Sequence, residues 1–364
     1  MRDSYMSPSL VDISLTNRCN LNCDFCYASS SPFEKSEHEL SLDDYRKIFK
    51  DLADMKVLRI SLSGGEPFIR NDFFEILNEA QKYDYAIVIN SNGTLITEEI
   101  AKKLTKYNFD RICISLDGSN SNKHDIVRGN NSFIQTIEGI RLLQKYNLPV
   151  STLFTLHKSN VDDLLDTIKL NENLGMHHMT IMVVCPTGRD SKGDTLVSKQ
   201  QWYPMLLKIS EMKKNNEIKL NLKIVPPNES PVFWMIYFPL KHYDRLDLLQ
   251  VWDQDLNVDS EKREVSCQAG LRACSINYNG DVYGCDLMMG IEDFKAGNVK
   301  EESISNIWNN SETFIRLRKI TFNEINGPCK DCDFMWCGAG CRSSAYNLTG
   351  DIAGSDMSCF YIKK

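Results

Sequence analysis

From residue 10 to about residue 215 the chain alternates short apolar runs, rich in β-branched residues, with longer amphipathic ones. Such alternation is the pattern of repeated βα units around a parallel sheet. Six strands are expected, over LVDISLT (10–16), VLRISLSG (57–64), AIVINSNG (86–93), RICISLDG (111–118), VSTLFTL (150–156) and HMTIMVV (178–184). Ser41, Asn71, Thr97 and Asn160 stand just ahead of amphipathic stretches, where a short polar side chain can accept from the free N–H groups of a helix's first turn. Six units make an α/β fold, a partial (β/α)6 barrel of the TIM type rather than a closed ring of eight. Periodicity weakens over 216–260, an irregular stretch that includes PVFWMIYF. From residue 261 cysteines crowd in, as in a small domain held by metal rather than by apolar burial. The expected division is a barrel over 1–225, a connector over 226–260 and a cysteine-rich domain over 261–364.

Composition narrows the classes of function. The 364 residues carry 49 Asp and Glu against 42 Lys and Arg, a net charge of −7, and no basic run marks a nucleic-acid-binding face. The opening residues, MRDSYMSPSL, lack the apolar core of a signal peptide, and no apolar run is long enough to span a bilayer. A cytoplasmic protein without nucleic-acid or membrane partners is expected. Thirteen cysteines in such a chain point to metal binding or catalysis, because cytosolic thiols are kept reduced.

In such barrels chemistry gathers at the C-terminal ends of the strands. The unusual motifs fall there: CNLNCDFC after strand one, SGGEP after two, NSNG after three, SLDG after four and CPTGR after six. Cys19, Cys23 and Cys26 share the first of these loops. Three thiolates can hold three irons of a cubane 4Fe-4S cluster and leave the fourth open to a ligand, whereas a closed four-thiolate site is structural or carries electrons. A three-cysteine zinc site completed from elsewhere is the plainer alternative, although no histidine lies close in the sequence.

The spacing Cys19-x3-Cys23-x2-Cys26, with Phe25 ahead of the last cysteine and GGEP after the second strand, resembles the radical S-adenosylmethionine (SAM) enzymes. The resemblance implies that the open iron binds the amino and carboxylate groups of SAM, and that one electron cleaves SAM to methionine and a 5′-deoxyadenosyl radical. By position it implies that Gly64, Gly65 and Glu66 receive the methionine amino group and that Ser115 contacts the ribose. Arg128 then lies near the cofactor carboxylate, while Phe25 and Asn92 line the pocket. Two glycines permit close backbone approach, and a carboxylate pairs with an ammonium. Ser and Asn at strand ends also serve as plain turn residues, and lone arginines are mostly solvated.

Past residue 260, Cys267, Cys274 and Cys285 are followed by Cys329, Cys332, Cys337 and Cys341 in CKDCDFMWCGAGC and then by Cys359. Taken alone, C-x2-C-x4-C-x3-C suits a zinc knuckle about as well as iron. The whole order, with Gly280 between Cys267 and Cys285, resembles the SPASM extension of peptide-modifying radical enzymes. One departure is the interval between Cys332 and Cys337, four residues where that extension usually has one more. The resemblance implies two auxiliary 4Fe-4S clusters, one on Cys267, Cys274, Cys285 and Cys341 and the other on Cys329, Cys332, Cys337 and Cys359. With the loop set that makes three clusters. It also implies that Asp286, next to Cys285, takes the proton when a substrate radical is oxidised, a task that a carboxylate beside a cluster suits; a turn role is equally open. Cys113 reads as a buried strand residue, and Cys185 as a packed thiol or a substrate contact.

The resulting expectation is a radical SAM oxidoreductase that modifies a ribosomally made peptide by thioether or carbon–carbon linkage, with flavodoxin or ferredoxin as reductant. Because the cysteine loop starts at residue 19, recognition of a leader is expected from a separate leader-binding protein or from the precursor itself. A formylglycine-forming sulfatase maturase and an enzyme of haem or quinone-cofactor synthesis are the enzymatic alternatives. A zinc-stabilised scaffold is the non-enzymatic one.

Overall fold

The computed structural model describes residues 6–225, 233–252, 264–334 and 337–362. In chain order these form β1 (Leu10–Ser14), α1 (Leu42–Asp54), β2 (Arg59–Ser63), α2 (Phe73–Ala80), β3 (Ala86–Ser91), α3 (Glu98–Leu104) and β4 (Arg111–Ser115). Next come α4 (Ser121–Arg128), α5 (Ser132–Lys145), β5 (Val150–Leu156), α6 (Leu164–Asn173), β6 (His178–Val183), α7 (Lys199–Lys214), β7 (Asn221–Val225) and α8 (Phe238–His242). The cysteine-rich part supplies β8 (Ala273–Ile276), β9 (Asp281–Tyr283), β10 (Gly297–Asn298), α9 (Ile304–Asn310), α10 (Glu312–Lys319) and α11 (Arg342–Thr349). The chain divides into two compact units, one of Met1–Ser115, Arg128–Val150 and Gln268–Lys319, the other of Leu116–Val127, Ser151–Cys267 and Ile320–Lys364.

In the first unit the strand order is β10-β9-β8-β1-β2-β3-β4. From β8 to β4 every pairing is parallel, and β9 and β10 continue the sheet antiparallel. The register sorts side chains onto two faces. Val11, Ile13, Ile60, Leu62, Ile87, Ile89, Ile112 and Ile114 share one face and are buried. Asp12, Ser14, Ser61, Ser63, Asn90, Cys113 and Ser115 share the other, with Ser275 of β8 opposite Asp12. One face therefore supplies the apolar burial that holds the sheet, while the other carries short polar groups such as the Asn90 amide, which donates to Ser61 Oγ at 2.9 Å. Cys113 is buried in its strand as expected, and lies on this second face. In the second unit β5, β6 and β7 run parallel in that order.

Ser41 caps α1 in a reciprocal box: its side chain accepts from the Asp44 N–H and the Asp44 carboxylate accepts from the Ser41 N–H. Thr97 caps α3 in the expected way. Two expected caps differ. The second helix begins after Asp72 rather than Asn71, with no side-chain bond at the cap. Asn160 heads a short 3-10 turn, and its side chain points back to accept from the His157 N–H and donate to the Thr155 carbonyl. Within the stretch expected to be irregular, residues 221–225 are instead strand β7, in register with β6 from His178 opposite Asn221. Its alternation NLKIV leaves Asn221 and Lys223 exposed, as an edge strand does. Residues 226–232 and 253–260 of the expected connector lie outside the described residues; between them α8 and a 3-10 turn over Leu246–Val251 are formed.

Candidate active site

Cys19, Cys23 and Cys26 lie on the segment that leaves β1. The start of that segment is fixed by backbone bonds: the Cys19 N–H donates to Ser31 O at 3.1 Å, and the Cys26 N–H closes a turn onto Cys23 O at 3.3 Å. A buried ionic network clamps its two ends. Glu39 accepts from Arg18 Nε at 2.9 Å and Nη2 at 3.1 Å, accepts from the Thr16 hydroxyl, and stands 3.5 Å from Arg70 Nη1. Arg70 in turn donates to the Leu15 carbonyl at 2.8 Å and the Leu40 carbonyl at 3.0 Å. None of Arg18, Glu39 and Arg70 was singled out by motif, since single charges at such spacing carry no pattern.

SGGEP leaves β2 directly against this loop. The Gly65 N–H donates to Thr16 O at 2.7 Å and the Glu66 N–H to Arg18 O at 2.9 Å. A Cβ on Gly65 would lie 2.1 Å from Arg18 O, and one on Gly64, whose φ is +129°, would lie 2.4 Å from Thr16 O. Both glycines thus serve close contact between two protein segments.

Glu66 is fully buried. Its carboxyl accepts from the Ser91 hydroxyl at 2.9 Å, the Asn92 N–H at 2.8 Å and the Phe68 N–H at 3.3 Å. Burial outweighs these bonds and the charge of Arg128, pushing the group up to about 7. Asn92 ties the end of β3 to the cysteine loop: its amide nitrogen donates to Asn20 Oδ1 at 2.9 Å and points at Cys19 Sγ from 3.8 Å. Arg128 is buried, not solvated. Its guanidinium carbon stands 5.5 Å from the centre of the Phe25 ring, and Nη1 lies 4.0 Å from Cys23 Sγ. Glu66, Asn92, Phe25 and Arg128 therefore gather around the three thiols. Ser115 ends β4 on the polar face, half-buried.

Asp286 opens a 3-10 turn directly after Cys285 and accepts from the Leu287 N–H at 2.9 Å. Burial raises it above the usual carboxylate range, and burial, with the nearby Asp286 charge adding to it, also pushes up the phenol of Tyr27, the residue after Cys26. Cys274 sits on β8 and Cys285 follows β9, both in the first unit; Cys267 and Cys341 belong to the second. Cys329, Cys332, Cys337 and Cys359 line a single cavity of about 540 Å³ in the second unit, together with Lys199, Phe238 and Tyr361. Cys185, also in that unit, places its sulfur 3.9 Å from Cys341 Sγ.

The donor sets suit iron–sulfur clusters. Among the described residues no three His, Cys, Asp or Glu side chains converge on one point as a single ion needs. A cubane spaces its thiolates on separate irons. Burial pushes the Cys19 thiol up to about 12 and the Cys337 thiol likewise up to about 12, and a bound metal cation would favour the thiolate form. The Leu21 N–H, 3.4 Å from Cys19 Sγ, and the Asn92 amide are the kind of donors that orient a ligating sulfur.

Residues 13–170 match the radical SAM superfamily, and residues 267–333 match the SPASM iron-sulfur cluster-binding domain. The chain belongs to the radical SAM superfamily and carries a SPASM extension; it is a radical SAM oxidoreductase of the expected α/β fold, a partial TIM-type barrel followed by a cysteine-rich domain. It is 31% identical to the AdoMet-dependent heme synthase of Methanosarcina barkeri over 98% of this chain and 97% of that one. It is 28% identical to the mycofactocin maturase MftC of Mycolicibacterium smegmatis over 97% of this chain and 83% of that one. In three dimensions it is similar to Streptococcus suis SuiB bound to S-adenosylmethionine, with a TM-score of 0.77 at 16% identity over 97% of this chain and 77% of that one. No helix among the described residues is long and apolar enough to cross a membrane.

Proposed function

We propose that the chain takes a hydrogen atom from a precursor of haem and oxidises the resulting substrate radical, whose electron an auxiliary iron–sulfur cluster would accept. The convergence of Glu66, Asn92, Phe25 and Arg128 on Cys19, Cys23 and Cys26 carries the reaction class. The 31% identity to a haem synthase across nearly the whole of both chains supports the substrate class and puts haem chemistry ahead of the peptide reading drawn from sequence alone. Cys19, Cys23 and Cys26 would hold a 4Fe-4S cluster with one open iron. When bound, cluster and SAM together supply a 5′-deoxyadenosyl radical able to open an unactivated C–H bond.

The protein's own part is binding and proton handling. Gly64, Gly65 and Glu66 would receive the methionine ammonium; Glu66 Oε1 already accepts from Ser91 and Phe68, whereas Oε2 accepts only from the Asn92 N–H and keeps a lone pair for the ligand, and an ammonium would hold the carboxyl in its charged form. Arg128 would pair with the methionine carboxylate, steadied by the face of Phe25. Ser115 and Asn92 would position the ribose and the loop. Asp286, raised by burial, would accept at its carboxylate the proton that leaves as the substrate is oxidised. The eight cysteines Cys267, Cys274, Cys285, Cys329, Cys332, Cys337, Cys341 and Cys359 would hold two auxiliary clusters, which with the one on Cys19, Cys23 and Cys26 makes three.

A second reading, oxidation of a ribosomally made peptide, is favoured by the 28% identity to a mycofactocin maturase. Anaerobic incubation of the iron-loaded protein with SAM and a chemical reductant decides between them. Mass change in a porphyrin precursor of haem, with 5′-deoxyadenosine formed alongside, supports the first reading. Mass change in a peptide instead supports the second, and absence of 5′-deoxyadenosine with every substrate would sink both.

A further inference from the structure

Arg318, near the end of α10, is buried at 6% exposure. Its Nε donates to the Gly270 carbonyl at 2.6 Å, and its guanidinium carbon stands 4.6 Å from the centre of the Trp308 ring. Its Nη2 is buried and has no acceptor. No carboxylate stands within ion-pair distance of it among the described residues; burial weakens its hold on its proton, and a thiolate at Cys274 is the charge that would oppose this. A buried cation without a counter-ion is strongly unfavourable. The surroundings place it on the cysteine scaffold: the Gly270 N–H bonds to Ala273 O at 2.9 Å, immediately before Cys274, and to Gly284 O at 3.3 Å, immediately before Cys285. Added Cβ atoms on Gly270 and Gly284 would meet Phe314 and Leu317 of the same helix. α10 is thus packed onto the two turns from which these cysteines project.

We infer that Arg318 is a positioning residue that serves as counter-ion to the iron–sulfur cluster on Cys274 and Cys285, its Nη2 donating to a cluster sulfur or to the Cys274 thiolate. A cluster held by thiolates is anionic and gains negative charge on reduction, so an adjacent guanidinium stabilises the reduced form and raises the reduction potential. The inference rests on the proposal that Cys274 and Cys285 bind iron. That proposal is checked separately: Cys274→Ala must lower the iron content, and unchanged iron would remove the premise.

The test is a redox titration followed by electron paramagnetic resonance, in protein whose Cys19, Cys23 and Cys26 are replaced by Ala so that the remaining signals come from the C-terminal cysteines. Arg318→Gln should move one midpoint potential to a more negative value and leave any other in place. Arg318→Lys, which keeps the charge but loses the planar fork, should fall between the two. Unchanged potentials in both variants, even with a lower Tm, would make Arg318 structural only and overturn the inference. If Arg318→Gln fails to take up iron, the parent protein labelled with 15N-arginine decides: a weak 15N coupling on a reduced auxiliary cluster, lost in Arg318→Lys, supports the contact, and its absence refutes it.

Discussion

At Gly65 a β-carbon would stand 2.1 Å from the carbonyl oxygen of Arg18, closer than any side chain tolerates, so Gly65→Ala must push the cysteine loop away. Loss of about four irons per chain, the content of one cubane, is expected from iron analysis of that variant, with the remaining iron retained. Glu39→Gln removes the ion-pair partner of Arg18, while Arg70 keeps Asp72 at 2.7 Å, and the loss of these charged hydrogen bonds costs about 2 kcal/mol. A lowered denaturation midpoint together with slower iron uptake would bear this out. Glu66 gives a pH dependence whose sign follows from its upward shift, from 4.5 to about 7. The folded chain holds a proton there that the unfolded chain has released, so the contribution is fully present below pH 4.5 and is lost as pH rises through about 7. At about 1.4 kcal/mol per pH unit the span amounts to roughly 3 kcal/mol. Urea denaturation of the metal-free chain across this range should show the decline, and Glu66→Gln should flatten it; equal slopes in the two proteins would mean that Glu66 does not titrate there.

Among the elements, α1 offers the cleanest test of local encoding, because the reciprocal bonds of Ser41 and Asp44 are exposed and touch nothing catalytic. Ser41→Ala should cost about 1 kcal/mol, read as a shift of the denaturant midpoint with iron content unchanged. The six expected strands were legible because each is a short β-branched run whose side chains alternate between two differently used faces. Strand β7 escaped notice since Lys223 and Asn221 dilute its apolar residues at an edge. Asn160 resembled a cap, yet its side chain found better partners in the turn behind it. The site was legible wherever chemistry forces a residue type at fixed spacing, as for Cys19, Cys23 and Cys26 or Gly64 and Gly65. Arg18, Glu39 and Arg318 act through partners distant in the chain, and Arg70 joins a near neighbour, Asp72, to the distant Glu39; such pairings leave no local pattern. Arg128 fell between the two cases: its position matched a resemblance, but only the structure shows its guanidinium over Phe25.

For the molecule as a whole, the number of clusters is the sharpest measurable quantity. Three cubanes require about twelve irons and as many acid-labile sulfides per chain, and replacing Cys19, Cys23 and Cys26 together should leave about eight while abolishing 5′-deoxyadenosine formation. Four irons left after that replacement would reduce the auxiliary clusters to one. The contacts of Gly65 and Glu66 with the Thr16 and Arg18 carbonyls also set an order of events during biosynthesis. The turn that organises the cysteines takes its shape from a segment synthesised well after them, so a nascent chain halted before β2 has emerged has no prepared place for iron. A chain cut short before SGGEP would therefore lack both of these bonds, and should hold less iron on Cys19, Cys23 and Cys26 than the full chain does.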